Sequence, residues 1–159
     1  MFFYTSNRKF NCDKLLKLEK ITELDPRFNQ VAQWVEDQWG YIRNHPGLAE
    51  RKKRMKPVLP DLNVVTYDRV PVAMFALTPW GPNKSVVEIN YFYVDASFRD
   101  LGIGSWMFEK AKTMAKAINP TVVLDTLNPK INHFYEKHGF KVIADHNLNG
   151  FPTSILRMK

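Results

Sequence analysis

The stretch FRDLGIGS (98–105) joins two unlike neighbours: the apolar run VVEINYFYV (86–94) before it and WMFEKAKTMAKAI (106–118), with helical spacing, after it. A helix N-terminus presents unpaired N–H groups and the positive end of the helix dipole. Glycines at 102 and 104 let a ligand approach the backbone, and Arg99 adds a guanidinium beside them. Such a junction suits a phosphate or pyrophosphate. A Rossmann fingerprint needs a third glycine where Met107 stands, and a P-loop needs Gly-Lys-Ser/Thr where the chain has Gly104-Ser105-Trp106, so both fail. What survives is Arg-x-x-Gly-x-Gly after an apolar strand; by itself it is also compatible with a plain strand-to-helix turn.

The elements that must position this turn follow from spacing and punctuation. Residues 14–22 read as a first strand, and Asp25-Pro26 as the start of a helix whose apolar stripe runs through Phe28, Val31, Ala32, Val35, Trp39 and Ile42, with Trp34 at its edge. Residues 45–57 read as a turn, a short basic helix and a proline stop. Strands at 62–67 and 70–77 form a hairpin around Asp68-Arg69, and 78–84 is a turn into the strand at 86–94. After the glycine turn, Met107, Ala111, Met114 and Ile118 recur at helical spacing. A short, largely apolar strand spans 121–127, and Asn128-Pro129 opens a helix through His138 that Gly139 closes. Strands at 140–146 and 151–158 flank Asn149-Gly150, a hairpin signal. The order β, α, α, β, β, β, α, β, α, β, β describes a mixed α/β domain with a strand–helix–strand crossover near its centre.

Composition sets outer bounds. The 159 residues, 45% of them apolar, suffice for one domain with a real core. No apolar run reaches membrane-spanning length, and MFFYTSNRKF turns basic too soon for a signal peptide, which points to the cytoplasm. A lone Cys12 excludes an internal disulfide and fits a reducing compartment as a small buried residue. His45, His133, His138 and His146 lack metal-ligand spacing, so no metal is expected. The net charge of +7 suits a polyanionic partner or simple solubility, but no DNA-reading element accompanies it, so nucleic acid is not an expected partner.

At RDLGIG (99–104) the chain resembles the GNAT superfamily of N-acetyltransferases, whose acetyl-CoA signature it matches at every fixed position. NPKINHFYEKHGF (128–140) supplies a second motif in register, with Asn128, Tyr135, Gly139 and Phe140; Ile131 stands where family members often carry a small residue. The resemblance covers roughly 60–143. It implies a single-domain GNAT-like fold over 1–159, with a mixed, mostly antiparallel sheet, fourth and fifth strands splayed apart, and helices on both faces. About 1–60 would form the acceptor side and about 61–159 the acetyl-CoA-binding core. The pantetheine arm would pair with main chain at Phe92, Tyr93 and Val94. Pyrophosphate would rest on the amides of Leu101, Gly102, Ile103, Gly104 and Ser105 beside Arg99 and Asp100, with Asn128 and Tyr135 also against the cofactor.

The reaction so implied is direct attack of a primary amine on the thioester, with departure of the CoA thiolate. An alkylamine with a pKa near about 10.4 is mostly protonated at pH 7, so a base is useful. Glu88, eleven residues before Arg99, is spaced like the catalytic glutamate of histone-acetylating members; an ordinary strand glutamate is the alternative. Tyr135 is the candidate acid for the thiolate. A catalytically silent acyl-CoA-binding module on the same fold is the competing function. The acceptor, a small amine or a peptide, and the oligomeric state stay open. The run Glu50 to Arg54 is either a solvated helix face or a basic rim that would favour acid-flanked acceptors.

Overall fold

The computed structural model describes residues 15–159, so Cys12 and the start of the first expected strand lie outside the described residues. Seven strands form one sheet: β1 (Leu16–Glu19), β2 (Leu62–Tyr67), β3 (Val70–Trp80), β4 (Val86–Val94), β5 (Val122–Thr126), β6 (Phe140–Leu148) and β7 (Phe151–Met158). Their spatial order is β1-β2-β3-β4-β5-β7-β6, and every neighbouring pair is antiparallel except β4 and β5. Among the described residues four α-helices cover the sheet: α1 (Phe28–Trp39), α2 (Leu48–Met55), α3 (Ile103–Ile118) and α4 (Asn132–Lys137). This is the α/β architecture the element order implies, with the elements in the expected sequence.

Helices cover both faces because β3 and β4 alternate. Val87 and Ile89 join Phe75, Met107 and Phe108 in the core beneath α3. Val64, Met74 and Ala76 pack instead with Phe28, Val31 and Trp34 of α1. Trp34, expected at the stripe's edge, is only 6% exposed and belongs to that second core. The buried stripe of α3 is Ile103, Met107, Phe108, Ala111 and Ala115, while Ile118, its last residue, is half exposed.

Local chemistry explains where boundaries moved. Helix α1 starts at Phe28 rather than Pro26, because the Asp25 carboxylate accepts from the backbone N–H and side chain of Arg27. Strand β3 runs through Trp80, so 78–80 is strand and not turn. Strand β2 starts at Leu62 opposite Ala76, which leaves Pro79 on an edge, where proline is tolerated. Both hairpin turns are of the left-handed kind expected: Asp68 and Arg69 have φ of +49° and +72°, Asn149 and Gly150 +52° and +87°.

Gly139 ends α4 at φ +93°, and a Cβ there would approach nothing nearer than Lys112 Nζ at 3.9 Å. Space is therefore available and only the backbone conformation demands glycine. Gly139→Ala should lower stability by about 1–2 kcal/mol, read as a reduced urea midpoint at unchanged slope.

Two irregularities shape the centre of the sheet. Strands β4 and β5 pair at only two positions, Val87↔Val122 and Glu88↔Val123, and then part. Strand β4 also carries a bulge: Ala76 faces Asn90 while Met74 faces Tyr93, and Tyr91 takes φ +50°. One extra residue reverses the alternation. Before it, Val87 and Ile89 face α3; after it, Phe92 and Val94 pack on that core, and Tyr91 and Tyr93 pack on the α1 side.

Candidate active site

The parting of β4 from β5 opens a cleft of about 780 Å³. Strand β4 from Glu88 to Val94 forms one wall, Leu124 to Asn128 the other, and Trp39, Arg43, Phe108 and Tyr135 help to close it. Beyond Glu88 the β5-facing main chain of β4 has no strand partner among the described residues, so its N–H and C=O groups can serve an extended amide-bearing ligand.

At one end of the cleft lies the glycine turn. Asp100 and Gly102 both take positive φ, +63° and +88°, and Gly102 is the N-cap of α3. This curls the chain so that the first amides of α3 converge. Arg99 and Asp100 line the cleft; Arg99 Nε donates to the Val94 carbonyl at 2.9 Å and its guanidinium lies 5.4 Å over the Tyr93 ring. The side chains of Leu101 and Ile103 point into the α3 core, which leaves only their backbone for a ligand. Ser105 Oγ reaches His138 Nε2 at 3.4 Å, bridging α3 to α4. At Gly104 an added Cβ would meet only Val94 and Phe134 at 3.8 and 4.0 Å, so the protein does not fill the space above it. Among these residues Gly104, Phe92, Tyr93, Val94 and Asn128 border the cleft, whereas Leu101, Gly102, Ile103 and Ser105 do not line it. Asn128 Oδ1 accepts from Lys130 N–H and caps a short 3-10 turn, 129–131, which precedes α4 and replaces the continuous helix expected from 129.

Tyr135 owes its place to aromatic packing. Phe108 touches Phe92, Phe134, Tyr135 and Phe140 at ring separations of 5.2 to 5.7 Å, tying α3, α4, β4 and β6 together. The Tyr135 hydroxyl makes no hydrogen bond among the described residues, and burial pushes it up to about 12. It lines the cleft as a phenol that keeps its proton at any working pH.

Glu88 lies at the fork itself, half-buried, on the α1 side of β4. Burial, and then the negative charge of Asp125, push its carboxyl up to about 7. A carboxylate so placed is a competent proton acceptor near neutral pH.

Spacing alone does not single out Asp125, which lines the cleft from β5 and lies 3.1 Å from His146 Nε2. Its signal is one charge in TVVLDTL, two residues from Val123 and so on the same strand face. The contacts of the 50–54 run decide between its two readings. Arg51 is buried and bonds Glu36 Oε1 at 3.1 Å, Arg54 pairs with Glu50 on its own helix, and Lys52 donates to Asn29. Burial works to raise Glu36, but the Gly47 N–H and the Arg51 guanidinium hold its carboxyl below the usual range. Two of its four cations thus have carboxylate partners, and of the run only Arg51 borders the cleft, so the run does not form a basic rim to it. His138, the C-cap of α4, is held between Glu109 and Ser105. Among the described residues no three His, Cys, Asp or Glu side chains are grouped to hold a metal ion. No helix among them is long and apolar enough to cross a membrane.

The family model of the acetyltransferase (GNAT) domain matches residues 61–142, which include the fork, the glycine turn, α3 and α4. The chain belongs to the GNAT acetyltransferase family. Solved GNAT structures share its fold. An acetyltransferase from Thermus thermophilus superposes with a TM-score of 0.72 at 16% identity, covering 90% of this chain and 96% of that one. The PaiA N-acetyltransferase of Thermoplasma acidophilum, in complex with coenzyme A, gives 0.69 at 14% identity, over 91% and 98%. The aminoglycoside-complexed AAC(6')-Ib, with ribostamycin and coenzyme A, gives 0.69 at 17% identity, over 91% and 93%. No curated protein matches the chain in sequence. Within this GNAT fold, the cleft is the feature in which both sequence motifs meet.

Proposed function

We propose that this protein is an acetyl-CoA-dependent N-acetyltransferase that transfers the acetyl group directly to a primary amine. The observation that carries the reading is Glu88: a carboxylate pushed up to about 7 at the fork, in the same cleft as the glycine turn and the buried phenol of Tyr135. The coenzyme A bound in two neighbours of the same fold supports the choice of co-substrate. Residues 61–159 form the acetyl-CoA-binding core in this reading, and residues up to about 60 contribute to the acceptor side.

The residues present fit the co-substrate. Its pyrophosphate belongs on the Leu101–Ser105 amides beside Arg99, in the cradle that a side chain at Gly104 would fill. Its pantetheine amides belong on the open main chain of Phe92, Tyr93 and Val94, as a substitute for the strand that β5 does not supply. When bound, it supplies an activated acetyl thioester. The chain's own residues then handle protons. Glu88 accepts one from the amine, which at pH 7 arrives mostly as ammonium. Tyr135 donates a hydrogen bond to the sulfur that departs.

A Cβ at Gly104 has room at ordinary contact distance, so Gly104→Val should occupy the cradle, with circular dichroism checking that the fold is kept. Calorimetry should show coenzyme A affinity reduced by about tenfold or more; unchanged affinity would remove the pyrophosphate from this site. The function itself is tested by thiol release from acetyl-CoA across a panel of primary amines and peptides. Tight coenzyme A binding without release for any amine would make the protein a silent binding module.

A further inference from the structure

The acceptor end of the cleft holds two carboxylates. Glu88 is the register partner of Val123, and Asp125 follows two residues later, so the pleat sets Glu88, Val123 and Asp125 on one face. That face is opposite α3, because Val87, Ile89, Val122 and Leu124 fill the α3 core. Asp125 lines the cleft with its side chain 33% exposed, and its Oδ2 lies 3.1 Å from Nε2 of His146 on β6.

Three arginines border the cleft, and among the described residues one of them, Arg51, is neutralised by a carboxylate. Arg51 is matched by Glu36, both nearly buried. Arg99 is committed to the Val94 carbonyl beside the glycine turn, and Arg43 is exposed on the turn after α1. Trp39 and Tyr91, edge to face at 6.1 Å, also line the cleft. Aromatic faces attract cations and exclude water, so they complement the carboxylates rather than compete with them.

We infer that Asp125, held by His146, is a specificity-determining residue that anchors the acceptor in its ammonium form. The acceptor class is then a monocationic amine with a compact apolar or aromatic body, in preference to an acid-flanked amine. This rests on reading the cleft as an amine-acetylating site. Chemically, the ammonium N–H breaks and a Glu88 O–H forms, which neutralises both partners; Asp125 keeps its charge and holds the cation beforehand.

The test uses two probes that carry no transferable N–H, phenyltrimethylammonium and phenylacetate, titrated calorimetrically into the coenzyme A-loaded protein at pH 8. The cation should bind at least about tenfold more tightly than the anion, and Asp125→Asn should weaken the cation about five- to tenfold. Asp125→Glu should retain the cation preference, and unchanged coenzyme A affinity verifies the fold of both variants. Equal affinity for the two probes, or cation affinity untouched by Asp125→Asn, overturns the inference. Absence of thiol release with every amine would instead overturn the acetyltransferase reading, while the probes, which cannot be acetylated, still report the charge preference.

Discussion

Glu88→Gln should lower kcat/KM by about 100- to 10,000-fold at neutral pH while leaving coenzyme A affinity unchanged. The amide keeps the size of the side chain but cannot accept a proton. In the parent protein the rate should climb with pH through a limb near 7, where Glu88 ionises. In the variant that limb should be absent, the residual rate following only the free-amine fraction. Stability should move the other way. In the unfolded chain the carboxyl titrates near 4.5, and in the fold at about 7. The folded state therefore holds the proton more tightly, and the associated stability is complete below 4.5 and is lost as pH rises through about 7. At pH 8 Glu88→Gln should melt above the parent protein, so a lost rate cannot be ascribed to lost structure. Parental kcat/KM in the variant, with a competent acceptor, would take the base role from Glu88.

Tyr135→Phe should lower kcat by about 100- to 1,000-fold, the range for removing one positioned hydrogen-bond donor from a developing anion. The ring contacts with Phe92, Phe108 and Phe134 survive the substitution, so the α3–α4 packing persists. The hydroxyl makes no hydrogen bond among the described residues, so its removal leaves no orphaned partner there. A phenol pushed up to about 12 is a weak acid beside a thiol of about 8.5. In the proposed mechanism it would act by stabilising the thiolate as a donor, and the proton need not transfer fully. The measurable consequence is a fall in kcat with little change in KM for acetyl-CoA, and no new limb in the pH profile below about 9. A kcat equal to that of the parent protein would remove Tyr135 from the mechanism.

Much of this arrangement is legible in the chain because it depends on local rules. Gly139, Asn149-Gly150 and Asp68-Arg69 mark turns by backbone conformation, and RDLGIG marks the capped start of α3 by the same means. What is not legible is set by tertiary structure. VVEINYFYV reads as an apolar strand, and nothing in its composition announces that Tyr91 bulges and exchanges the faces of Phe92 and Tyr93. Asp125 looks incidental until β4 and β5 place it on the face of Glu88. Arg51 reads as one more surface cation until Glu36, fifteen residues earlier, is found beneath it. In each case a partner distant in sequence decides the meaning of the residue.

The strand order has a consequence for how the molecule is made. Strand β7 lies between β5 and β6, although it is the last of the three to be synthesised. Until residues 151–158 leave the ribosome, β5 has a hydrogen-bonding edge without its main partner, and its only sheet contact is the two-position pairing with β4. The β1–β4 meander, with α1 and α2 on its face, can consolidate while the rest of the chain is still being extended. The β5 side of the cleft is therefore left with an incomplete sheet on the nascent chain at that stage. Asn149, in the β6–β7 turn, donates to the Ile42 carbonyl, a contact across 107 residues, and Phe151 adds its edge-on packing against Tyr41. The sheet around β5 is thus completed late, and the exposed β5 edge is the segment a chaperone has most reason to cover.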